Sequence, residues 1–222
     1  MAFWKMDRQS ARFTALMMLL LGAVAVAVWG RARRSDSISF KEHLDDWAVT
    51  VDGEKYVFRD LAVYLAYKEQ EVAEQARAYD LENPKKYWNA HTNGQFIRVA
   101  AKNAALDQAV HDIIFYDMAV QEGTGLTDAE AAFAGNQKLD FWNDLEEEGR
   151  ARLGVSETEL DALFERMALA QKQQQIYADR QGVDYREYNV TGSLYEEFLE
   201  EHTYQTNKRL IKRLNFGTIT LE

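Results

Sequence analysis

The chain has 222 residues and a net charge of −10, with 47% hydrophobic and 12% aromatic residues, one proline, twelve glycines and no cysteine. This composition supports a packed core and excludes wholesale disorder. The missing cysteine removes disulfides, thiolate metal sites, cysteine nucleophiles and a lipid-modified cysteine anchor. The charge is unevenly placed: residues 1–34 hold six basic side chains against Asp7, a net +5, which leaves −15 for the remainder. An acidic body repels polyphosphate, so nucleic-acid binding is not expected of it.

From Phe13 to Gly30 no residue is charged, and Phe13 to Trp29 is nearly all apolar. Eighteen residues at about 1.5 Å each reach roughly 27 Å, close to the thickness of a bilayer's hydrocarbon core. The spacing predicts a transmembrane helix over 13–30, with Trp4 and Trp29 near its two ends and arginines on both flanks as snorkelling anchors. A cleaved signal peptide competes, because Ala25-Val26-Ala27 fits a small-x-small cleavage site and would release a secreted body. The run is long for a signal h-region, and Trp29 and Arg31 follow it directly, which favours an uncleaved signal anchor. Each flank carries three basic side chains, and the α-amino group adds to the first. Residues 1–12 are therefore expected to form a cytoplasmic tail, with the body outside the cytoplasm.

Residues 31–46 read as a juxtamembrane linker. Trp47-Ala48-Val49-Thr50-Val51 then alternates, Asp52-Gly53 is a hairpin turn, and Lys55 to Phe58 make a second strand. Two strands alone are marginal, so a partner is needed. Phe216 to Leu221 is the candidate third strand, which would bring the two ends of the chain into one small antiparallel sheet.

Between these ends the sequence is helical. Leu61, Leu65, Val72 and Tyr79 form a narrow stripe on a helix predicted over 60–81. Asn83-Pro84 opens a short helix through Tyr87 and Trp88, and Thr92-Asn93-Gly94 separates it from a long helix over 95–122. Val99, Leu106, Val110, Ile113 and Ile114 of that long helix face a core, and Gly123 ends it. Capping boxes at Thr127–Glu130, Ser156–Glu159 and Ser193–Glu196 mark three helix starts. Gly182 closes the second of these helices, and the third is expected to end before Thr203.

Chemistry-bearing patterns are sparse. Glu146, Glu147 and Glu148 project about 100° apart on a helix and do not converge, so they read as a solvated face, as do Glu196, Glu197, Glu200 and Glu201. His111 with Asp107 reads as surface electrostatics. The cluster of Lys208, Arg209, Lys212 and Arg213 reads as helix-end complementarity or an ion-pair partner. No phosphate loop, nucleophile elbow or histidine-glutamate metal motif is present, so no catalytic residue, metal or cofactor is expected.

The aromatics are more informative. Phe133, Leu139, Phe141, Trp142 and Leu145 fall on no single helical stripe, and Val63, Tyr64 and Tyr67 form a second apolar flank on the first helix. Either both helices are sandwiched in the core, or kinked at Gly135, or they expose an aromatic groove for polypeptide. Tyr64, Tyr67, Tyr87, Trp88, Phe141 and Trp142 are the candidate contact residues.

The order of elements resembles a known family. Val51-Asp52-Gly53-Glu54 between two short strands, followed by a helix, is similar to the opening of SurA N-terminal-like domains, also found in the extracytoplasmic foldases PrsA and PpiD. Ala105 to Val110, continuing through Ala119 to Glu130, resembles that family's helix, glycine-leucine turn and acidic helix start, and Leu153 to Leu160 resembles its next junction. The resemblance spans about residues 47–221 and implies a mainly α chaperone domain over 47–222. Isomerase members of the family carry a parvulin domain of about 90 residues, and neither its length nor its paired histidines and glycine-rich acidic loop has a match here, so prolyl isomerase activity is not implied.

The expectation is a mainly α protein with one transmembrane helix and a helical body, binding unfolded or exported polypeptides without catalysis. The alternative is a structural or assembly subunit of an envelope or secretion complex that docks one dedicated partner.

Overall fold

A computed structural model of the protein describes residues 37–221. The chain divides into a unit of residues 1–38, described only at Ser37 and Ile38, and a unit of residues 39–222 that holds the fold. The expected transmembrane segment and cytoplasmic tail lie outside the described residues. Among the described residues no helix is long and apolar enough to cross a membrane.

The folded unit begins earlier than the linker reading allows. Phe40 to His43 form a 3-10 turn in which Phe40 is buried, its ring edge-on to Phe58 at 6.1 Å, and Leu44 is buried beside it. The carbonyls of Leu44 and Asp46 accept from the backbone N–H of Arg59 and Phe58 at 2.9 and 3.0 Å. Residues 40–46 are thus part of the body, because two apolar side chains among the polar ones suffice to anchor the segment.

Strands β1 (Trp47–Val51) and β2 (Glu54–Val57) form the expected antiparallel hairpin. Asp52 and Gly53 both adopt positive φ, 47° and 92°, the geometry a two-residue primed turn requires. A bulge between Trp47 and Val49 breaks the alternation, so that Ala48 and Val49 are both buried. The third strand is β5 (Tyr204–Thr206), paired antiparallel to the other edge of β1, giving the order β2-β1-β5. The two ends of the body do meet in one sheet, but residues 216–221 do not supply the strand. Their backbone donors go elsewhere, as described below.

Helix α1 (Ala62–Tyr79) follows a 3-10 turn over Phe58–Leu61. Leu61, Leu65 and Val72 are buried, whereas Tyr79, at the end of the predicted stripe, is 61% exposed. Helix α2 (Lys85–Trp88) is followed by a second hairpin, β3 (His91–Thr92) and β4 (Gln95–Phe96), where only a break between helices is predicted. Asn93 and Gly94 at φ 48° and 82° make its turn. Helices α3 (Ile97–Glu122), α4 (Asp128–Asp144), α5 (Glu147–Leu153) and α6 (Glu157–Gln181) form the bulk of the body. Gly123, Gly154 and Gly182 end three of them in the left-handed conformation. The capping boxes at Thr127 and Ser156 form as expected. The third does not: helix α7 (Tyr195–Glu200) starts without a side-chain cap, and Ser193 Oγ instead donates to Glu187 at 2.5 Å. Helix α8 (Lys208–Arg213) is capped by Asn207, which also donates to the Trp47 carbonyl at 2.9 Å and so ties α8 to β1.

Helix α3 is the spine. It packs on α1 and α6, with Leu106, Val110, Ile113, Ile114 and Phe115 buried. Phe115 stacks on Phe198 of α7 at 4.8 Å and 7°, and Tyr177, Tyr188 and Tyr195 complete an aromatic cluster there. Arg166 of α6 binds Asp60 at 3.0 Å and lies over the rings of Tyr56 and Tyr116, joining the hairpin, the start of α1 and the spine.

Candidate functional site

Glu69 is the residue that organises the C-terminal segment. It sits between Leu65 and Val72 on the core-facing stripe of α1 and is fully buried. A bare carboxylate there would be costly. Its two oxygens are satisfied by residues 217–220: Oε1 accepts from the backbone N–H of Gly217 and, at 3.0 Å, of Ile219, while Oε2 accepts from the backbone N–H and hydroxyl of Thr220 at 2.8 and 3.0 Å. Burial pushes the carboxyl above its ordinary value, against the pull of these bonds. The donors a strand would have spent on a neighbouring strand are spent on one side chain, which is why 216–221 forms no ladder.

The segment runs along one side of a cleft of about 820 Å³. Its other walls come from α1 (Gln70, Glu74, Arg77), from Pro84 to Asn89 around α2, from Arg98 at the start of α3, and from Asp144 to Glu146 between α4 and α5. Trp88 is the platform. Phe216 meets its ring at 5.9 Å, and Gly217, at φ 103°, lies so close that a Cβ would come within 3.4 Å of the indole. On the far side, Thr220 comes so close to α5 that a Cβ on Gly149 would sit 2.8 Å from its carbonyl oxygen, and Arg152 donates to the same oxygen at 3.2 Å.

The cleft carries both signs of charge: Arg77, Lys85, Arg98 and Arg152 line it together with Glu74, Asp144 and Glu146. Beneath Arg98, one turn along α3, Lys102 is buried and donates to the carbonyls of Ile211 and Leu214 at 2.6 and 3.3 Å, closing the end of α8. Burial, and then the Arg98 charge, pull its amine down to about 8.

The six expected contact residues do not make one surface. Trp88 lines the cleft. Tyr87 is half-buried beside it, its ring 5.2 Å from Tyr79 and its hydroxyl donating to Gln75 at 3.2 Å. Tyr64 and Phe141 are core residues, 6% and 1% exposed, so the sandwiched alternative holds for both. Burial, and then the Asp112 charge, push the Tyr64 phenol well above its ordinary value. Tyr67, 39% exposed, caps the core against Phe141 and Phe164 at 4.9 and 6.3 Å. Trp142 is half-covered by the Arg150 guanidinium, 4.8 Å from its ring centroid. Helix α4 runs unbroken through Gly135.

Glu146 to Glu148 and the acidic residues of α7 are exposed, and no group of acidic or histidine side chains among the described residues could hold a metal ion. His111 departs from its surface reading. It is buried, its Nδ1 2.7 Å from Asp112 Oδ1 and its Nε2 3.0 Å from the Tyr188 carbonyl. Asp112 and the Tyr188 carbonyl hold the ring within the fold. Glu69 and Phe216 were the residues missed. Glu69 stands four positions after Leu65 on an otherwise apolar stripe, a visible signal of a buried acid in need of a partner.

Compared with family models, curated proteins and solved structures, the chain matches none.

Proposed function

We propose that the body is a chaperone-like polypeptide-binding module of the SurA N-terminal-like kind, tethered to a membrane by residues 13–30 and working outside the cytoplasm without catalysis of its own. Its clients are unfolded or exported chains. The observation that carries this reading is that the cleft is lined along one side by an irregular stretch of polypeptide, held by its main chain. Three backbone N–H groups of residues 217–220 bind Glu69, and Gly217 lies flat on Trp88. Main-chain donors and an aromatic platform are means of holding a chain with little regard to its sequence. The 820 Å³ beside the segment leaves room for a second stretch. The acidic surroundings favour solubility and discourage collapse onto clients.

The test is suppression of aggregation of several unrelated unfolded proteins by the full chain in detergent micelles. Suppression weakened by Trp88→Ala supports the reading. No suppression, together with stoichiometric crosslinking to one protein, overturns it in favour of a dedicated assembly subunit.

A further inference from the structure

Away from the Trp88 cleft, a second cavity of about 340 Å³ lies between α3, α4, α6 and the 3-10 turn Tyr185–Tyr188. Carboxamides dominate it: Gln108, Gln137, Gln171, Gln174 and Asn189. Its inner wall is fixed by internal bonds. Gln174 Nε2 donates to the Tyr185 carbonyl and to Asn189 Oδ1 at 2.9 and 2.8 Å, and Gln108 Nε2 donates to Asp112 Oδ1 at 2.8 Å, the oxygen that also takes His111 Nδ1. Gln137 of α4 and Gln171 of α6 differ. Both are exposed, and neither side chain makes a hydrogen bond to another described residue.

A side-chain carboxamide is a copy of the peptide group, with one acceptor and a donor in the same plane. It can pair with a peptide N–H and C=O at two points, whatever side chain that peptide carries. The one carboxylate of the lining, Asp112, is engaged by Gln108 Nε2 at 2.8 Å and lies 2.7 Å from His111 Nδ1, and its negative charge disfavours acidic ligands. Met167 adds an adaptable apolar surface. We propose that this pocket is a subsite for the main-chain amides of a short, extended, uncharged stretch of polypeptide, bound through Gln137 and Gln171 without regard to its sequence. The proposal rests on the polypeptide-binding reading above and gives it a second point of attachment that reads what all unfolded chains share.

The test uses the full chain in detergent micelles with ¹⁵N-labelled glutamine, titrated with pentaglycine, with pentasarcosine, whose amides are N-methylated, and with an N-acetylglucosamine trimer. Pentaglycine is expected to move the Gln137 and Gln171 side-chain signals saturably, and pentasarcosine to leave them in place. The double substitution Gln137→Leu/Gln171→Leu should raise the pentaglycine Kd about five- to fiftyfold, the loss of two neutral hydrogen-bonding groups. Val120→Ala, at an exposed position of α3 that lines neither cavity, should leave it within about twofold. Pentaglycine that moves neither signal, pentasarcosine that moves them equally, or a response to the saccharide alone overturns the subsite. Aggregation suppression with both glutamines unmoved sinks the subsite and spares the chaperone reading. Pentaglycine binding at the glutamines without suppression upholds the subsite and sinks that reading.

Discussion

The buried carboxylate of Glu69 accepts the backbone N–H of Thr220 at 2.8 Å, joining the middle of the first body helix to a residue 151 positions later. Each oxygen of Glu69 serves two donors, so an amide in its place leaves two of them facing an N–H₂ group. Glu69→Gln is expected to destabilise docking of residues 216–221 by about 1–3 kcal/mol. Faster removal of the C-terminal residues by carboxypeptidase reports it, and an unchanged rate would contradict it.

The pH dependence of that latch has a definite sign. Burial raises the folded carboxyl above its ordinary 4.5, so between those two values the folded chain holds a proton the unfolded chain has lost. Stability attributable to Glu69 is therefore fully present below the ordinary value and falls as pH rises through the folded value. The difference in unfolding free energy between the parent and Glu69→Gln, followed by denaturant titration upward from pH 4, should shrink with rising pH. A difference that grows would refute the assignment.

Gly149 tests the same contact from the opposite wall. In a helix, alanine gains about 1 kcal/mol over glycine. Here the added Cβ meets the Thr220 carbonyl oxygen at 2.8 Å, a backbone atom that has to shift. Gly149→Ala is expected to lose about 1–3 kcal/mol by overpacking, and thermal unfolding of the variant reads the sign directly.

Lys102 has the reverse linkage to Glu69. Its folded amine is pulled down to about 8 from an ordinary 10.5, so in that window the unfolded chain keeps the proton. Stability attributable to Lys102 rises with pH across it. The parent should gain on Lys102→Met between pH 8 and 10.5 in chemical unfolding. A flat or falling difference would show that the amine is not held in a desolvated place.

Much of the helical punctuation was legible because it is local. Thr127 and Ser156 cap as predicted, since their partners Glu130 and Glu159 are three residues away. Ser193 carries the same pattern and fails because Glu187 takes its hydroxyl. Thr127→Ala and Ser156→Ala are each expected to cost about 1 kcal/mol, and Ser193→Ala to stay within about 0.5. What lay beyond local pattern is long-range. Phe216 to Leu221 has the residues of a strand, and only the distant carboxylate of Glu69 decides otherwise. Tyr64 and Phe141 read as groove or core until the packing of α1 on α3 and of α4 on α6 buries them. Trp88 lines the cleft, a placement that no motif in its short helix singled out.

The most direct measurement of the central claim is photocrosslinking in intact cells from position 88, with Val120, exposed and outside the lining of both cavities, as the control position. Polypeptide binding in the cleft predicts crosslinks from position 88 to many different exported chains and few from position 120. Crosslinks to one protein alone, or equal capture from both positions, would contradict it.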